Sequence, residues 1–143
     1  NKPYYDAAFR RRFAGPPPRL TDDAEGVTLT HSGFCRLGSV GAVTRRWEFS
    51  GRRFTLTDRV EGRSRRALQR RLHTALTVSR DGDGLALDGP GAHFRLAFGE
   101  ATARLDPATL WRAYGEGRPG TVITLETRAR LPVTLTLTLE ADT

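Results

Sequence analysis

Apolar and polar residues alternate with a period of two along most of the chain after position 26. Phe54, Leu56 and Val60 alternate with threonines and arginines, and between Val133 and Leu139 the apolar residues alternate with threonines. One face of each segment is therefore apolar and the other polar, with β-branched residues on the polar side. This pattern is typical of antiparallel strands that are buried on one face only.

Turn-forming residues separate these alternating segments. Glycine, proline, aspartate and serine cluster at 50–51, 62–64, 81–84, 89–91 and 117–120, and such residues favour tight turns. Many short strands at this spacing predict an all-β fold, an antiparallel β-sandwich of about 8–12 strands. We expect at most one short helical turn, near 106–111, where Asp106 would cap a helix that begins at Pro107.

The first 25 residues differ from the rest of the chain. Three consecutive arginines at 10–12 are followed by Gly15 and three prolines at 16–18, which favour extended, unpaired backbone. We predict that residues 1–25 form an extended entry segment, which leads in from a missing N-terminal region, and that residues 26–143 form the sandwich domain. Because the sequence contains no methionine, we expect it to be a processed or excised piece of a longer chain.

The charge is strongly positive, at +7, and all but one of the 23 basic residues are arginines. Such a surface attracts polyanions, and a guanidinium group suits carboxylate and sulfate geometry. The absence of a recognition helix or an aromatic RNA-binding strand argues against nucleic acid as a partner. No apolar run is long enough to span a membrane. Widely spaced histidines and a single cysteine predict no metal site, and we expect no cofactor.

The segment from Arg53 to Thr74 predicts a hairpin around Gly62. In the register that pairs Gly62 with Arg66, apolar residues oppose one another and Asp58 lies opposite Arg70 on the inward face. An acid and an arginine that are buried together should pair, because either alone would be a costly buried charge. We therefore expect a structural Asp58–Arg70 ion pair.

The outward face of the same hairpin would be rich in arginine. Such a face could hold an acidic chain, although it could equally be solvated or dock on another domain. Exposed aromatic rings stack on sugars, although aromatic side chains are more often buried. The candidate substrate-binding residues are Arg46, Arg53, Arg71, His73, Trp111 and Tyr114.

Several segments resemble the C-terminal β-sandwich region of the heparinase II/III-like family of bacterial polysaccharide lyases. They are an arginine–tryptophan strand opening at 45–47, Leu56-x-Asp58-x-Val60-x-Gly62, the Leu72-His73 pair, His31–Gly38, Trp111–Ile123 and the closing strand Leu131–Leu139. These motifs cover nearly the whole chain, but none is a catalytic signature.

The resemblance implies that this chain is the C-terminal accessory domain of an enzyme that cleaves uronic-acid polysaccharides by β-elimination. In that family the catalytic residues lie on an N-terminal α/α toroid and on a His-Asn-Thr strand, and this chain contains no such triplet. We therefore expect no catalytic residue in this segment and no activity from it alone. The expected partners are the toroid and an acidic polysaccharide, and family analogy favours the periplasm. The alternative is a stand-alone carbohydrate-binding sandwich that uses the arginine-rich face.

Overall fold

A computed structural model of the protein describes residues 16–142. Within these residues the regular structure consists of antiparallel strands and one 3-10 turn, Cys35–Leu37. The strands are β1 (Arg19–Asp22), β2 (Gly26–His31), β3 (Val40–Ser50), β4 (Arg53–Gly62), β5 (Arg65–Thr74), β6 (Thr77–Asp81), β7 (Gly84–Gly89), β8 (Ala92–Ala97), β9 (Thr102–Ala113), β10 (Glu116–Arg130) and β11 (Val133–Ala141). The predicted all-β sandwich is confirmed.

The strands form two sheets of unequal width. The large sheet has eight strands in the order β1-β2-β3-β4-β11-β8-β7-β6, and the small sheet has three in the order β5-β10-β9. Side chains from both sheets meet in one apolar core, with Leu85 and Leu137 from the large sheet against Ile123 and Leu125 from the small sheet. Burial of this apolar surface between the sheets is the main source of stability.

The small sheet covers only part of the large one. The buried members of the main core come from β4, β11, β8 and β7 on the large sheet and from β9 and β10 on the small sheet, together with Phe98. Strand β2 lies beyond this covered region, and every one of its residues is only partly buried, whereas Trp47 of β3 packs against the main core and Val40 of β3 belongs to a second, smaller cluster. The inner face of the large sheet therefore extends past β5, which is an edge strand of the small sheet.

The predicted helical turn near 106–111 is wrong. Asp106 and Pro107 lie within β9, where Asp106 is opposite Val122 of β10 and Pro107 is opposite Thr121. Proline has no N–H to donate to a neighbouring strand, but β9 is at the edge of its sheet, where proline is tolerated. No helix in residues 16–142 is long and apolar enough to cross a membrane.

The predicted hairpin around Gly62 is also wrong. β4 pairs with β3 and β11 in the large sheet, whereas β5 pairs with β10 in the small sheet. The chain at Arg63–Ser64 crosses from one sheet to the other and is held by hydrogen bonds from Arg63 N to Ser39 O and from Leu131 N to Ser64 O. Two strands that face each other across a sandwich bury the same alternate residues as two neighbours in one sheet, so the pattern does not distinguish them.

The predicted entry segment lies partly outside the described residues, at 1–15. Its described part contains β1, which pairs with β2 from Arg19 opposite Thr30 to Asp22 opposite Val27. Residues Arg19–Asp22 of this segment are therefore an edge strand of the large sheet. The division into residues 1–25 and 26–143 stays a prediction.

Candidate functional site

The six candidate substrate-binding residues lie in three separate places. Because β4 and β5 belong to different sheets, arginines predicted to share one face lie on opposite faces of the sandwich. Arg46 and Arg53 are on the outer face of the large sheet, Arg71 and His73 are on the outer face of the small sheet, and Trp111 and Tyr114 are at the far end of the β9–β10 hairpin.

Apart from Arg19, the arginines on the large-sheet outer face are paired with acids. Arg46 Nη1 donates to Asp23 Oδ2 at 2.8 Å, and Arg46 Nε lies 3.0 Å from Glu48 Oε1. Arg53 Nη2 lies 3.2 Å from Glu140 Oε2. Arg59 pairs in the same way with Glu61, and Arg95 with Asp81 and Asp83. This face therefore carries alternating charges and has little positive charge available for a ligand.

The Arg46 pairing is strong enough to change the acidity of its partner. Hydrogen bonds from the Arg46 side chain, and then from the backbone N–H of Glu25, lower the pKa of Asp23 from 3.8 to about 2. The same contacts, with Asp23 first and Glu48 second, raise the pKa of Arg46. Asp23 itself belongs to a turn, because its Oδ1 accepts hydrogen bonds from the N–H groups of Glu25 and Gly26.

Four arginines on the outer face of the small sheet differ from these, because no acid among residues 16–142 forms a salt bridge with them. Arg65 on β5 lies directly opposite Arg130 on β10, and like charges in directly opposed positions repel each other. Arg71 and Arg128 lie on the same outer face, and all four side chains are exposed. None of these four arginines forms a salt bridge with another of residues 16–142. We call Arg65, Arg71, Arg128 and Arg130 the small-sheet arginine face.

Two acids on this face of the sheet have other partners. Gln69 Nε2 donates to Glu126 Oε1 at 2.7 Å, and Arg104 Nη1 donates to Asp106 Oδ1 at 2.6 Å. Glu126 and Asp106 are thus occupied by other partners, and no acid among residues 16–142 forms a salt bridge with the four arginines. His73 follows Arg71 on the same face of β5, opposite Val122, and is exposed.

Two large aromatic side chains project from the end of the β9–β10 hairpin. Trp111 is 67% exposed and Tyr114 is fully exposed. The Trp111 ring lies over the backbone of Gly117, where a Cβ atom would come within 3.1 Å of the indole. The glycine therefore gives the indole a flat backing, while its other surface is open to solvent. Such a ring, with Arg112 and Arg118 nearby in the same exposed hairpin, is suited to stacking on a planar or sugar ring.

The predicted Asp58–Arg70 ion pair is wrong, since the partner of Asp58 is Arg45. Arg45 Nε donates to Asp58 Oδ1 at 2.6 Å and Arg45 Nη2 to Asp58 Oδ2 at 2.9 Å. These residues are directly opposed on β3 and β4 and both face inward. The error follows from the wrong hairpin register, because Arg70 belongs to the other sheet and faces Asp58 only across the sandwich.

Arg70 is buried without a hydrogen-bonded partner. It is 7% exposed, and its Nε and Nη1 atoms have no acceptor within the described part of the chain. Burial lowers the pKa of Arg70, with Asp58 opposing that effect and the nearby Arg45 charge adding to it. Hydrogen bonding by Asp58 instead raises the pKa of Arg45. Asp58 therefore stabilises the charged form of Arg45 more than that of Arg70.

The three histidines lie on different surfaces. His31 accepts a hydrogen bond from Gly33 N and packs beside Phe34, whereas His93 contacts Asp88 at 2.8 Å on the outer face of the large sheet. Among residues 16–142, no three or more histidines, cysteines, aspartates or glutamates are grouped so as to hold a metal ion.

Sequence reasoning missed Arg45, Arg65, Arg128 and Arg130. Arg45 shares the parity of Val43 and Trp47, which marks it as inward-facing and could have identified the partner of Asp58. Arg128 and Arg130 share one parity within the strand that ends before Leu131. The alternation shows that they face outward, but which strand lies beside them is a property of the topology.

Comparisons with known proteins establish the fold. No protein-family model matches the sequence, and no curated protein matches it. Among solved structures, a heparan sulfate lyase from Pedobacter heparinus superimposes with a TM-score of 0.68 at 10% identity, over 87% of this chain and 21% of the lyase. A heparinase III gives a TM-score of 0.65 at 10% identity, over 87% and 21% of the two chains.

The same sandwich also occurs in an enzyme of a different class. A 4-alpha-glucanotransferase from Thermococcus litoralis superimposes with a TM-score of 0.64 at 13% identity, over 87% of this chain and 22% of that protein. This chain thus matches about a fifth of the length of each structure. At these identities the likeness shows a heparinase-like, polysaccharide-lyase-like fold, and function must be argued from the residues.

Proposed function

We propose that this chain is the accessory sandwich domain of a larger polysaccharide-lyase-like enzyme, and that its small-sheet arginine face holds an acidic polysaccharide. Two structural neighbours are heparin or heparan sulfate lyases, and each is about five times as long as the matched region. In this proposal the domain lies at the C-terminal side of a catalytic α/α toroid, braces it, and is inactive alone.

The observation that carries the proposal is the uncompensated charge of Arg65, Arg71, Arg128 and Arg130. Four guanidinium groups share one sheet face, and two of them are directly opposed. An anion between such groups would relieve their repulsion, and guanidinium forks bind sulfate and carboxylate oxygens in pairs. Arg65 and Arg71 are six residues apart, so the face extends roughly 20 Å along the strand. This length favours a chain over a single small anion.

The exposed Trp111 ring supports a contribution from the hairpin end, where it could stack on a sugar. It also supports the second candidate, a stand-alone carbohydrate-binding sandwich, because neither the ring nor the arginine face needs a catalytic domain in order to bind. The two candidates share the binding surface and differ in whether a toroid must be present.

A pair of charge-matched double variants tests the binding face. The affinity for heparan sulfate is measured by calorimetry for the wild type, for Arg71→Ala/Arg130→Ala, and for Arg53→Ala/Arg59→Ala. Both variants lose two positive charges, but the second pair of arginines is already neutralised by Glu140 and Glu61. We expect the first variant to bind about tenfold more weakly, about 1.4 kcal/mol, as two exposed ion pairs would contribute. The second should change affinity less than threefold.

Salt dependence and activity complete the test. Binding should weaken strongly between 0.1 M and 1 M salt, since the Debye length falls from about 10 Å to about 3 Å. A neutral glucan should not bind to the arginine face. Equal losses in the two double variants, or salt-independent binding, would contradict the proposal. Formation of unsaturated sugar products by this chain alone would contradict the assignment of an accessory role.

A further inference from the structure

A cavity of about 490 Å³ lies between the sheets where the large sheet extends beyond β5. β2, β3 and β4 line it on one side and β5 on the other, and residues Phe34 and Leu37 at the 3-10 turn close one end. Its volume lies within the range of small-molecule binding sites. The small-sheet arginine face is on the opposite side of β5, so the cavity is a separate site.

The cavity walls are mostly apolar. They are formed by Leu29, Phe34, Leu37, Val40, Val43, Trp47, Val60, Leu68 and Leu135. Most of these side chains are contributed by strands whose alternate residues face inward, and none of them carries a charge. A sugar, with hydroxyl groups on every side, would leave many donors and acceptors unpaired against such walls.

The polar groups of the cavity carry an excess of positive charge. Arg45, Arg66 and Arg70 line it together with a single carboxylate, Asp58, which gives these four groups a net charge of +2. Each oxygen of Asp58 accepts a hydrogen bond from Arg45, and neither accepts one from Arg70. Arg66 Nη2 donates to Leu37 O and Ser39 Oγ, but its Nε is buried and has no acceptor among residues 16–142.

Arg70 is the group that distinguishes this cavity from a packing defect. It is 93% buried, it lines the cavity, and both Nε and Nη1 lack an acceptor within residues 16–142. Buried donors without partners are rare in folded proteins, and a buried guanidinium without one is more unusual still. A methionine or leucine at this position would fill the same space without the cost of desolvating a charge. The unpaired charge therefore indicates an anionic ligand.

We propose that the cavity binds a small amphipathic carboxylic acid, whose carboxylate pairs with Arg70 and whose apolar body lies against Trp47, Leu29 and Leu135. The carboxylate accepts hydrogen bonds from the N–H groups of Arg70 that have no acceptor among residues 16–142, and it reduces the net charge of Arg45, Arg66, Arg70 and Asp58 taken together from +2 to +1. The apolar body replaces water against the leucines and the indole. The ligand class follows from this combination of one unpaired buried cation and apolar walls.

The test uses 4-phenylbutyrate and octanoate as probes of the full chain, with 4-phenylbutyramide as the uncharged match. Amide and indole NMR shifts are followed during titration, together with calorimetry. We expect saturable shifts at Trp47 Nε1–H and at the amides of residues 68–70, and at least tenfold weaker binding of the amide probe. Arg70→Met should lose at least tenfold in affinity for 4-phenylbutyrate, whereas Arg59→Met, an exposed arginine on the outer face, should keep it.

The comparison of acid and amide on the wild-type chain does not depend on any variant folding. Equal binding of the two probes, or shifts that occur only outside the cavity, would overturn the proposal. Unchanged affinity in Arg70→Met would overturn the role of Arg70. Cavity shifts with an acidic peptide but with neither small acid would also overturn it, and would assign the site to a protein segment. Loss of polysaccharide binding by the small-sheet arginine face would leave these outcomes unaffected.

Discussion

Replacing Arg45 with methionine should lower the free energy of unfolding by about 2–3 kcal/mol. The side chain of Asp58 is 5% exposed and accepts two hydrogen bonds from Arg45, at 2.6 Å and 2.9 Å. Methionine keeps the apolar stem but leaves the carboxylate buried without its donors. Removing one partner of a fully buried ion pair typically costs about 3–5 kcal/mol.

Two features of the site reduce the expected loss. The Arg45 side chain is 39% exposed, so water screens part of the interaction. Arg70 is close enough to feel the charge of Asp58 and remains as a counter-charge after the substitution. A hydrogen bond to a charged group contributes about 1.5–3 kcal/mol, and the loss of two such bonds with partial compensation gives about the stated value.

Urea unfolding followed by circular dichroism measures this change. The midpoint should fall while the slope with denaturant stays constant, which shows that the loss is in stability and not in the compactness of either state. Arg59→Met is the matched control, because its ion pair with Glu61 is exposed on the outer face, and it should change stability by less than about 0.5 kcal/mol. Because Asp58 is also a counter-charge for Arg70, the compensating variant removes all three charges, and Arg45→Met/Asp58→Leu/Arg70→Met should recover much of the loss.

An unfolding free energy of Arg45→Met within about 0.5 kcal/mol of the wild-type value would contradict the stabilising role of this ion pair. The same conclusion would follow if the triple variant were less stable than Arg45→Met alone. Either result would mean that the Asp58 carboxylate does not depend on Arg45.

Three further substitutions test two charged side chains and one backbone conformation of the sandwich. Arg70→Met should leave the free energy of unfolding unchanged or raise it by up to about 1 kcal/mol, because it removes buried donors that lack acceptors within residues 16–142. A decrease of more than about 1 kcal/mol in the free energy measured by urea unfolding would contradict this prediction. In an NMR titration Asp23 should ionise with a pKa of about 2, and Arg46→Gln should move this pKa back towards 3.8. Since the pKa is lowered in the folded state, the contribution of Asp23 to stability is present above pH 4 and is lost as the pH falls towards 2. An Asp23 titration midpoint that does not move in Arg46→Gln would contradict the pairing. Gly62→Ala should lower the free energy of unfolding by more than about 1 kcal/mol, because φ at Gly62 is +148° and the new Cβ would collide with Ser39 O. A variant whose calorimetric unfolding temperature equals that of the wild type would contradict this prediction.

Side-chain alternation predicts which residues face inward but not which strands are neighbours. Leu56, Val60, Leu68 and Leu72 all pack in the interior, as the period of two indicates. Their strands nevertheless belong to different sheets, because a pair that faces across a sandwich has the same alternation as a pair within a sheet. Long-range pairings such as β5 with β10 depend on how the whole chain packs.

The candidate site could be predicted only in part for the same reason. The alternation places Arg71 and Arg53 outward correctly, yet the topology separates them onto opposite faces and places Arg130 beside Arg65. Local signals were overridden in the same way at Asp106 and Pro107, where pairing with β10 outweighs a helix-capping pattern. Residue types and parity could be read from the sequence, whereas the clustering that creates uncompensated charge could not.

The central claim is that an acidic polysaccharide binds to the outer face of the small sheet. The most direct measurement is the mapping of backbone amide and arginine Nε–H shifts in the full chain during titration with a heparan sulfate oligosaccharide at low salt. We predict saturable, salt-sensitive shifts at Arg65, Arg71, Arg128 and Arg130, with little change on the outer face of the large sheet. Shifts confined to the large sheet near Arg53, or no shifts at low salt, would contradict the claim.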